Sequence, residues 1–366
     1  MRWVLGWVIA SILVALISPC FLSSLRVYEW SSELDDYVLK EGYVHRKRDE
    51  GWATTSYGPY GFATLAGIDA ASASTVVIWG DSYVEAHQVS DEQKTAYQVN
   101  EALLERGLSH LRAVTVGRAH WSVSDYYFKI PAYERLLHPV CHFIILAEYG
   151  LKDLCPDGET FISEPVPRFV RRRLVNPHKS KVITDLYEWG LGDMLLAPWK
   201  AVRTVMVDGR NMHFSLGPYR RVDKTTLDPG CNVAFGVSEP NSVVESWSYA
   251  LDMLKTSASK PIVLVLIPEV PHLEQGVVRC VDSQSEWRAR LAELCRAKQV
   301  GCIDMTTTLV DDYRKTGRFS RGFHNGRPGS GHLNARGHWL LSRAICDYLN
   351  QYTHSLRKTG HAVHTN

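Results

Sequence analysis

The 366-residue chain lacks the marks of several protein classes. It has no charge excess: 41 Lys and Arg stand against 39 Asp and Glu, a net +2, so nothing argues for a nucleic-acid partner. Its basic residues are scattered. The short runs Arg46-Lys47-Arg48 and Arg171-Arg172-Arg173 read as solvated faces. There is no internal repeat and no low-complexity tract. The eight cysteines form no CxxC and no Cys/His pair at zinc-like spacing, so no metal is expected, and no cofactor is called for. Cys141, Cys302 and Cys346 fall in or beside regular elements and read as small buried apolar residues. Cys155 and Cys231 fall in irregular segments, and in an extracytoplasmic domain they would be free to pair, with connectivity left open.

Long apolar runs are also scarce, and the exception stands at the N-terminus. Trp3 to Leu22 is almost wholly apolar, with Arg2 before it and Ser23-Ser24 after it. About twenty apolar residues suffice to cross a bilayer as a helix. Ser18-Pro19-Cys20 is a poor cleavage site, so residues 1–24 read as an uncleaved anchor, with a cleaved secretory signal as the alternative. Arg2 favours a cytoplasmic N-terminus and Arg26 pulls the other way. The simplest layout is one membrane helix carrying a soluble extracytoplasmic, periplasm-like domain. Residues 25–74 read as a linker and lead-in with a turn-rich stretch at Ser56 to Gly61.

Beyond residue 74 strands and helices alternate. Strands are expected at Thr75–Trp79, Arg112–Val116, His142–Ala147, Pro261–Ile267 and Gly301–Asp304. Helices are expected at Glu92–Arg106, Ser124–Leu137, Ser242–Ser257, Ser285–Lys298 and Ala335–Tyr352. The strands are short continuous apolar runs, as in sheets covered on both faces. The expected fold is therefore α/β: a three-layer α/β/α sandwich around a central, mostly parallel five-stranded sheet of flavodoxin-like type, spanning 75–352. Leu154 to Asn241 breaks the rhythm and reads as an insertion over the carboxyl edge of the sheet, and 353–366 reads as a tail. Aromatic and basic residues in the insertion (Tyr187, Trp189, Trp199, Arg220, Arg221) fit a substrate groove or a packing face equally well.

The stretch that carries chemistry is Trp79-Gly80-Asp81-Ser82-Tyr83, where the first strand turns into a helix. A serine there is presented at the carboxyl edge of the sheet, beside helix amides able to hold a developing negative charge. The bland reading is a polar turn with Asp81 or Ser82 as N-cap. A nucleophile needs a base, and His332 lies in a glycine-rich loop just before the last helix, on the same edge. Asn334 is a good N-cap for that helix, and His338 suits packing. His87, His120 and His324 are candidates for structural roles, with His120 also near substrate.

The order of these motifs resembles the SGNH (GDSL) hydrolase superfamily. Gly80-Asp81-Ser82 resembles its first block, Gly117 the second-block glycine, Gly150-Leu151-Lys152-Asp153 the third block, and Gly331-His332-Leu333-Asn334 through Gly337-His338 the last. The closing His-x-Asn-x-x-Gly-His pattern is similar to the branch that includes alginate-type polysaccharide O-acetyltransferases. The resemblance implies a serine esterase or O-acyltransferase acting on acyl esters, acetyl esters of a carbohydrate in the first place. Ser82 would be the nucleophile and His332 the base. The amides of Ser82 and Gly117, with Lys152 in third place, would form the oxyanion hole.

Two departures from the family pattern stand out. Lys152 occupies the position of the usual third-block asparagine. Gly329 occupies the position, three residues before the histidine, where the family has aspartate. The expectation is a Ser-His dyad with no carboxylate of its own, for which Asp304 and Glu148 are conceivable substitutes, although each reads more readily as a loop anchor or surface group, and Asp153 is a supporting residue. Two other readings stay open: a catalytically degenerate protein that binds glycan or organises a membrane assembly, and a lipid esterase or thioesterase. The expected partners are an ester substrate and, through the N-terminal helix, a membrane.

Overall fold

The computed structural model describes residues 2–21, 23, 24, 26–63, 74–147, 240–274, 277–280 and 284–358. The insertion expected at 154–241 lies outside the described residues except for its last two positions, and so do Glu148, Lys152, Asp153, Cys155 and Cys231.

Five parallel strands form the centre, β5 (Ser74–Gly80), β6 (Leu111–Gly117), β7 (Pro139–Ala147), β8 (Ile262–Ile267) and β11 (Gly301–Asp304), with the antiparallel pair β9 (His272–Glu274) and β10 (Val277–Arg279) outside the central sheet. Their order is β6-β5-β7-β8-β11, and every neighbouring pair is parallel. Alternate residues of each strand enter opposite cores, because successive side chains point to opposite faces. Val76, Ile78, Phe143, Ile145, Val263 and Val265 lie on one face, with α3 (Thr95–Glu105), α7 (Thr306–Thr316) and α8 (Ala335–Lys358) packed over them. Val77, Trp79, Ile144, Leu146, Leu264 and Leu266 lie on the other, under α4 (Val123–Leu137), α5 (Pro240–Ser257) and α6 (Ser285–Ala297). This is the expected three-layer sheet, with strand ends within a few residues of those read from the sequence. The chain leaves β5 first toward β6 and later returns to β7 on its other side. The carboxyl end of β5 is thus the switch point at which open α/β sheets place their ligands.

The lead-in has structure of its own. Residues 26–63 contain the antiparallel pairs β1 (Tyr28–Ser31) with β2 (Asp36–Leu39) and β3 (Val44–Lys47) with β4 (Ala53–Ser56). Leu34, Val38 and Phe62 join the same core as Trp79 and Tyr133, so this segment is packed against the sheet domain rather than trailing from it. Four-residue strands are too short to show alternation in the sequence. Helix α7 also escaped the sequence reading, because its opening Thr306-Thr307-Thr308 has weak helix propensity.

The expected anchor coincides with α1 (Arg2–Phe21). Its described side chains are exposed, among them Trp3, Trp7 and Ile12. Among the described residues no helix is long and apolar enough to cross a membrane. Cys141, Cys280, Cys295, Cys302 and Cys346 are free thiols, with Cys141 and Cys346 buried and Cys302 half-buried.

Candidate active site

Strand β5 ends at Gly80, and the chain turns at once into the single-turn helix α2 (Ser82–Glu85). The Asp81 side chain caps this turn by accepting the Tyr83 N–H at 2.9 Å. Burial pushes the Asp81 carboxyl above its ordinary range, against the Tyr83 amide and the nearby His332, which pull it down. Asp81 is therefore the cap, and Ser82 is the first helical residue. Its N–H is one of the donors that a first turn leaves without an intrahelical partner. Two glycines let α2 sit this low on the sheet. A Cβ on Gly80 would meet Val84 Cγ2 at 2.2 Å, and one on Gly117 would meet the Gly80 carbonyl oxygen at 2.7 Å. Gly117 ends β6 directly opposite Gly80 in register, so its backbone lies beside the Ser82 turn.

The histidine loop arrives from the other side. Asn334 holds it: its Nδ2 donates to the Phe319 and Gly322 carbonyls at 2.9 and 3.2 Å, and its Oδ1 accepts the Arg336 and Gly337 amides at 3.0 and 3.2 Å. Asn334 thus caps α8 and ties the loop down. Tyr83, next to the serine, donates to the Gly331 carbonyl at 3.0 Å and accepts from the buried Arg321 at 2.6 Å. Burial pushes the Tyr83 phenol up to about 12, with the Arg321 charge opposing, so it stays a donor at neutral pH. The Tyr83 and His332 rings lie 5.3 Å apart. These ties bring His332 Nε2 to 2.9 Å from Ser82 Oγ, two atoms separated by 250 positions in the chain.

A carboxylate completes the row, and it is Glu50. Its Oε2 lies 2.7 Å from His332 Nδ1, and its Oε1 accepts the His332 backbone N–H at 3.2 Å. Burial pushes the Glu50 carboxyl up. The hydrogen bonds and charge of His332, with the charge of Lys47, outweigh that and hold it below its ordinary value. An ionised carboxylate only accepts, so Nδ1 carries the imidazole proton, and Nε2 presents a lone pair to the serine hydroxyl. The dyad expected from the sequence is thus corrected to Ser82–His332–Glu50.

Glu50 sits in the turn between β3 and β4, inside the segment read as a linker. Two glycines make its approach feasible. Gly51 has φ +73°, and a Cβ there would meet the Gln88 carbonyl oxygen at 2.1 Å. Gly331 has φ +81°, and a Cβ there would meet Glu50 Oε1 at 2.7 Å. Asn325 clamps the turn: its Oδ1 accepts the Gly51 N–H at 2.8 Å, and its Nδ2 donates to the Arg48 and Gly51 carbonyls at 3.0 and 2.9 Å. Ser23 fixes the same turn through its hydroxyl, which donates to Asp49 Oδ1 at 2.7 Å and accepts the Arg48 N–H at 2.8 Å. Gly329, where the family carries aspartate, has φ +73° and faces the Phe319 ring, a conformation a side chain would strain. The local loop cannot supply the carboxylate, and a distant hairpin does.

The other expected residues have structural places. Asp304 is corrected from a candidate partner of the histidine to a helix cap: its Oδ1 accepts the Thr306 N–H at 2.8 Å, and Arg288 stands 3.8 Å from its Oδ2. His338 is buried, bonds Thr95 Oγ1 at 2.8 Å, and is pushed by burial down to about 3, hence neutral. His87 is buried, bonded to the Tyr57 hydroxyl, and held well below its ordinary value by burial and by the charges around it. His120 is exposed in the loop after Gly117, with φ +68°.

No family model matches the chain, and no curated protein matches it in sequence. Solved structures to which it is similar include an acetylxylan esterase from Geobacillus stearothermophilus at 10% identity, covering 75% of this chain and 94% of that one with a TM-score of 0.38. A family 3 carbohydrate esterase from Clostridium thermocellum gives 10% identity, 78% and 98% coverage and a TM-score of 0.38. A lipase/acylhydrolase from Enterococcus faecalis gives 13% identity, 76% and 96% coverage and a TM-score of 0.39. The chain resembles the SGNH hydrolases in its order of blocks.

Proposed function

We propose that the chain is an SGNH-type serine enzyme that cleaves acyl esters through an acyl-enzyme. One observation carries this reading: Glu50, His332 and Ser82 stand in a row at 2.7 and 2.9 Å. In the proposed reaction Ser82 Oγ attacks the ester carbonyl carbon while His332 Nε2 takes its proton. Glu50 holds the imidazole in register and stabilises the imidazolium that forms. The carbonyl oxygen gains negative charge, which the Ser82 and Gly117 amides receive, with Lys152 as a further donor. When the tetrahedral adduct collapses, His332 returns the proton to the leaving alcohol, and the acyl group stays on Ser82. Water then releases the acid, or a second hydroxyl takes the acyl group.

For the substrate we propose an acetyl ester of a carbohydrate, with hydrolysis as the basal reaction and transfer to a sugar hydroxyl as its variant. The support is the resemblance of the closing block, His332 to His338, to polysaccharide O-acetyltransferases. For the location we propose that the apolar N-terminal run, Trp3 to Leu22, ties the chain to a membrane, with the enzyme domain outside the cytoplasm. The exposed apolar side chains in the first turns of that run support this.

A fluorophosphonate probe tests the reading. Wild-type protein is expected to be labelled, and Ser82→Ala and His332→Ala are expected to lose labelling together with p-nitrophenyl acetate hydrolysis, by about 10⁴-fold or more. A folded wild type that neither labels nor hydrolyses would overturn the reading. Oligosaccharide acceptors added to the same assay separate transfer from hydrolysis.

A further inference from the structure

Helix α2 is four residues long and ends at Ala86 in the left-handed conformation. One isolated turn has no stability of its own, so the position of Ser82 is set by what its neighbours grip. Tyr83 grips the histidine loop, and Val84 lies on Gly80 and Gly117. Glu85 grips something else. Its Oε2 accepts the Ala119 N–H at 3.1 Å, and Ala119 is two residues past Gly117. The same oxygen pairs with Arg26 Nη2 at 3.1 Å, from the start of the lead-in. The Glu85 side chain is 3% exposed, and its Oε1 is buried with no hydrogen-bond partner among the described residues. A buried, half-satisfied carboxylate is a costly way to fill space. An apolar side chain of that size would fill the site without this penalty, but it could not hold the Ala119 amide.

We propose that Glu85 is a positioning residue that fixes the spacing between the two oxyanion amides, Ser82 N–H on its own helix and Gly117 N–H at the end of β6, through the loop residue Ala119 that it holds. Arg26 aims the carboxylate through its 3.1 Å contact, so the segment leading out of α1 is coupled to the oxyanion hole as well as to Glu50. This rests on the serine-hydrolase reading above. Because oxyanion stabilisation is realised in the transition state and not in substrate binding, loosening this tie lowers kcat and leaves KM nearly unchanged.

The test compares Glu85→Gln, which keeps an acceptor for Ala119 N–H, with the double variant Arg26→Met/Glu85→Met, which removes the tie while preserving volume and stranding no charge. Kinetics with p-nitrophenyl acetate are read beside the affinity of an alkylboronic acid, whose tetrahedral serine adduct occupies the oxyanion hole, and beside the melting transition. Glu85→Gln is expected to stay within about threefold of wild type. The double variant is expected to lose about ten- to a hundredfold in kcat and in boronate affinity together, at similar KM. A double variant that melts like wild type and keeps both kcat and boronate affinity would overturn the proposal, as would a loss confined to KM. If wild type neither hydrolyses nor binds the boronate while remaining folded, the hydrolase reading has failed, and this one with it.

Discussion

Two turns meet at the site, and they are held in different ways. The β5–α2 turn that carries Ser82 is held from beneath: Gly80 and Gly117 leave no room for a Cβ, and Val84 is seated directly on both. The β3–β4 turn that carries Glu50 has one such close contact, Gly51 on the Gln88 carbonyl, and is otherwise held from its flanks by polar ties, from Asn325, Ser23 and the His332 amide. Packing against a sheet is stiff, because interiors are close-packed and respond to a single added methyl. A hairpin tip tied by hydrogen bonds at the surface yields more easily, since each tie contributes only about 1 kcal/mol net. The nucleophile is thus part of the core, whereas the carboxylate is delivered to it. Damage to the first is expected to cost stability and activity together, and damage to the second mainly activity.

Gly117→Ala is the most severe way to break the first turn. The added methyl would meet the Gly80 carbonyl at 2.7 Å and Val84 Cβ at 3.1 Å, so the backbone has to move. The expected outcome is a loss of about 1–3 kcal/mol in denaturant unfolding and of about a hundredfold or more in ester hydrolysis. Retained activity with lost stability would show that the Gly117 amide takes no part. Asn325→Ala probes the second turn. It removes three hydrogen bonds to Arg48 and Gly51 at a half-buried position where water replaces them, and is expected to lower kcat about a hundredfold with an unfolding loss of only about 1 kcal/mol. Equal falls in both quantities would erase the distinction between the two turns.

The same contrast explains what the sequence disclosed. Ser82 is marked locally, by an apolar strand, a Gly-Asp-Ser turn and a helix, and His332 by glycines and the capping Asn334. Packing leaves this kind of trace in adjacent residues, and so the sheet, its strand ends and the Ser82–His332 pairing were legible. Glu50 has no such trace. It lies 32 positions before Ser82, at the end of the polar run Arg46 to Glu50, which reads as a solvated face. One clue was present: Gly329 leaves the histidine loop without its carboxylate, and Asp49-Glu50-Gly51 is an acidic turn with a glycine suited to φ > 0. No local rule links the two, because a hairpin's docking partner is set by tertiary contacts. Asp304 shows the converse. A carboxylate at a strand end is a conceivable catalytic partner in the sequence but reads more readily as a loop anchor, and the first turn of α7 claims it as a cap.

The central claim is that Glu50 drives Ser82 through His332, and the rate of fluorophosphonate modification of Ser82 in Glu50→Gln against wild type tests it most directly. Glutamine keeps the size of the side chain and removes the charge that sets the tautomer of His332. With melting transitions matched, the expected result is labelling slower by at least about a hundredfold at neutral pH. Equal labelling rates in the two folded proteins would contradict the claim, leaving the Glu50–His332 contact as a surface ion pair with no part in the chemistry.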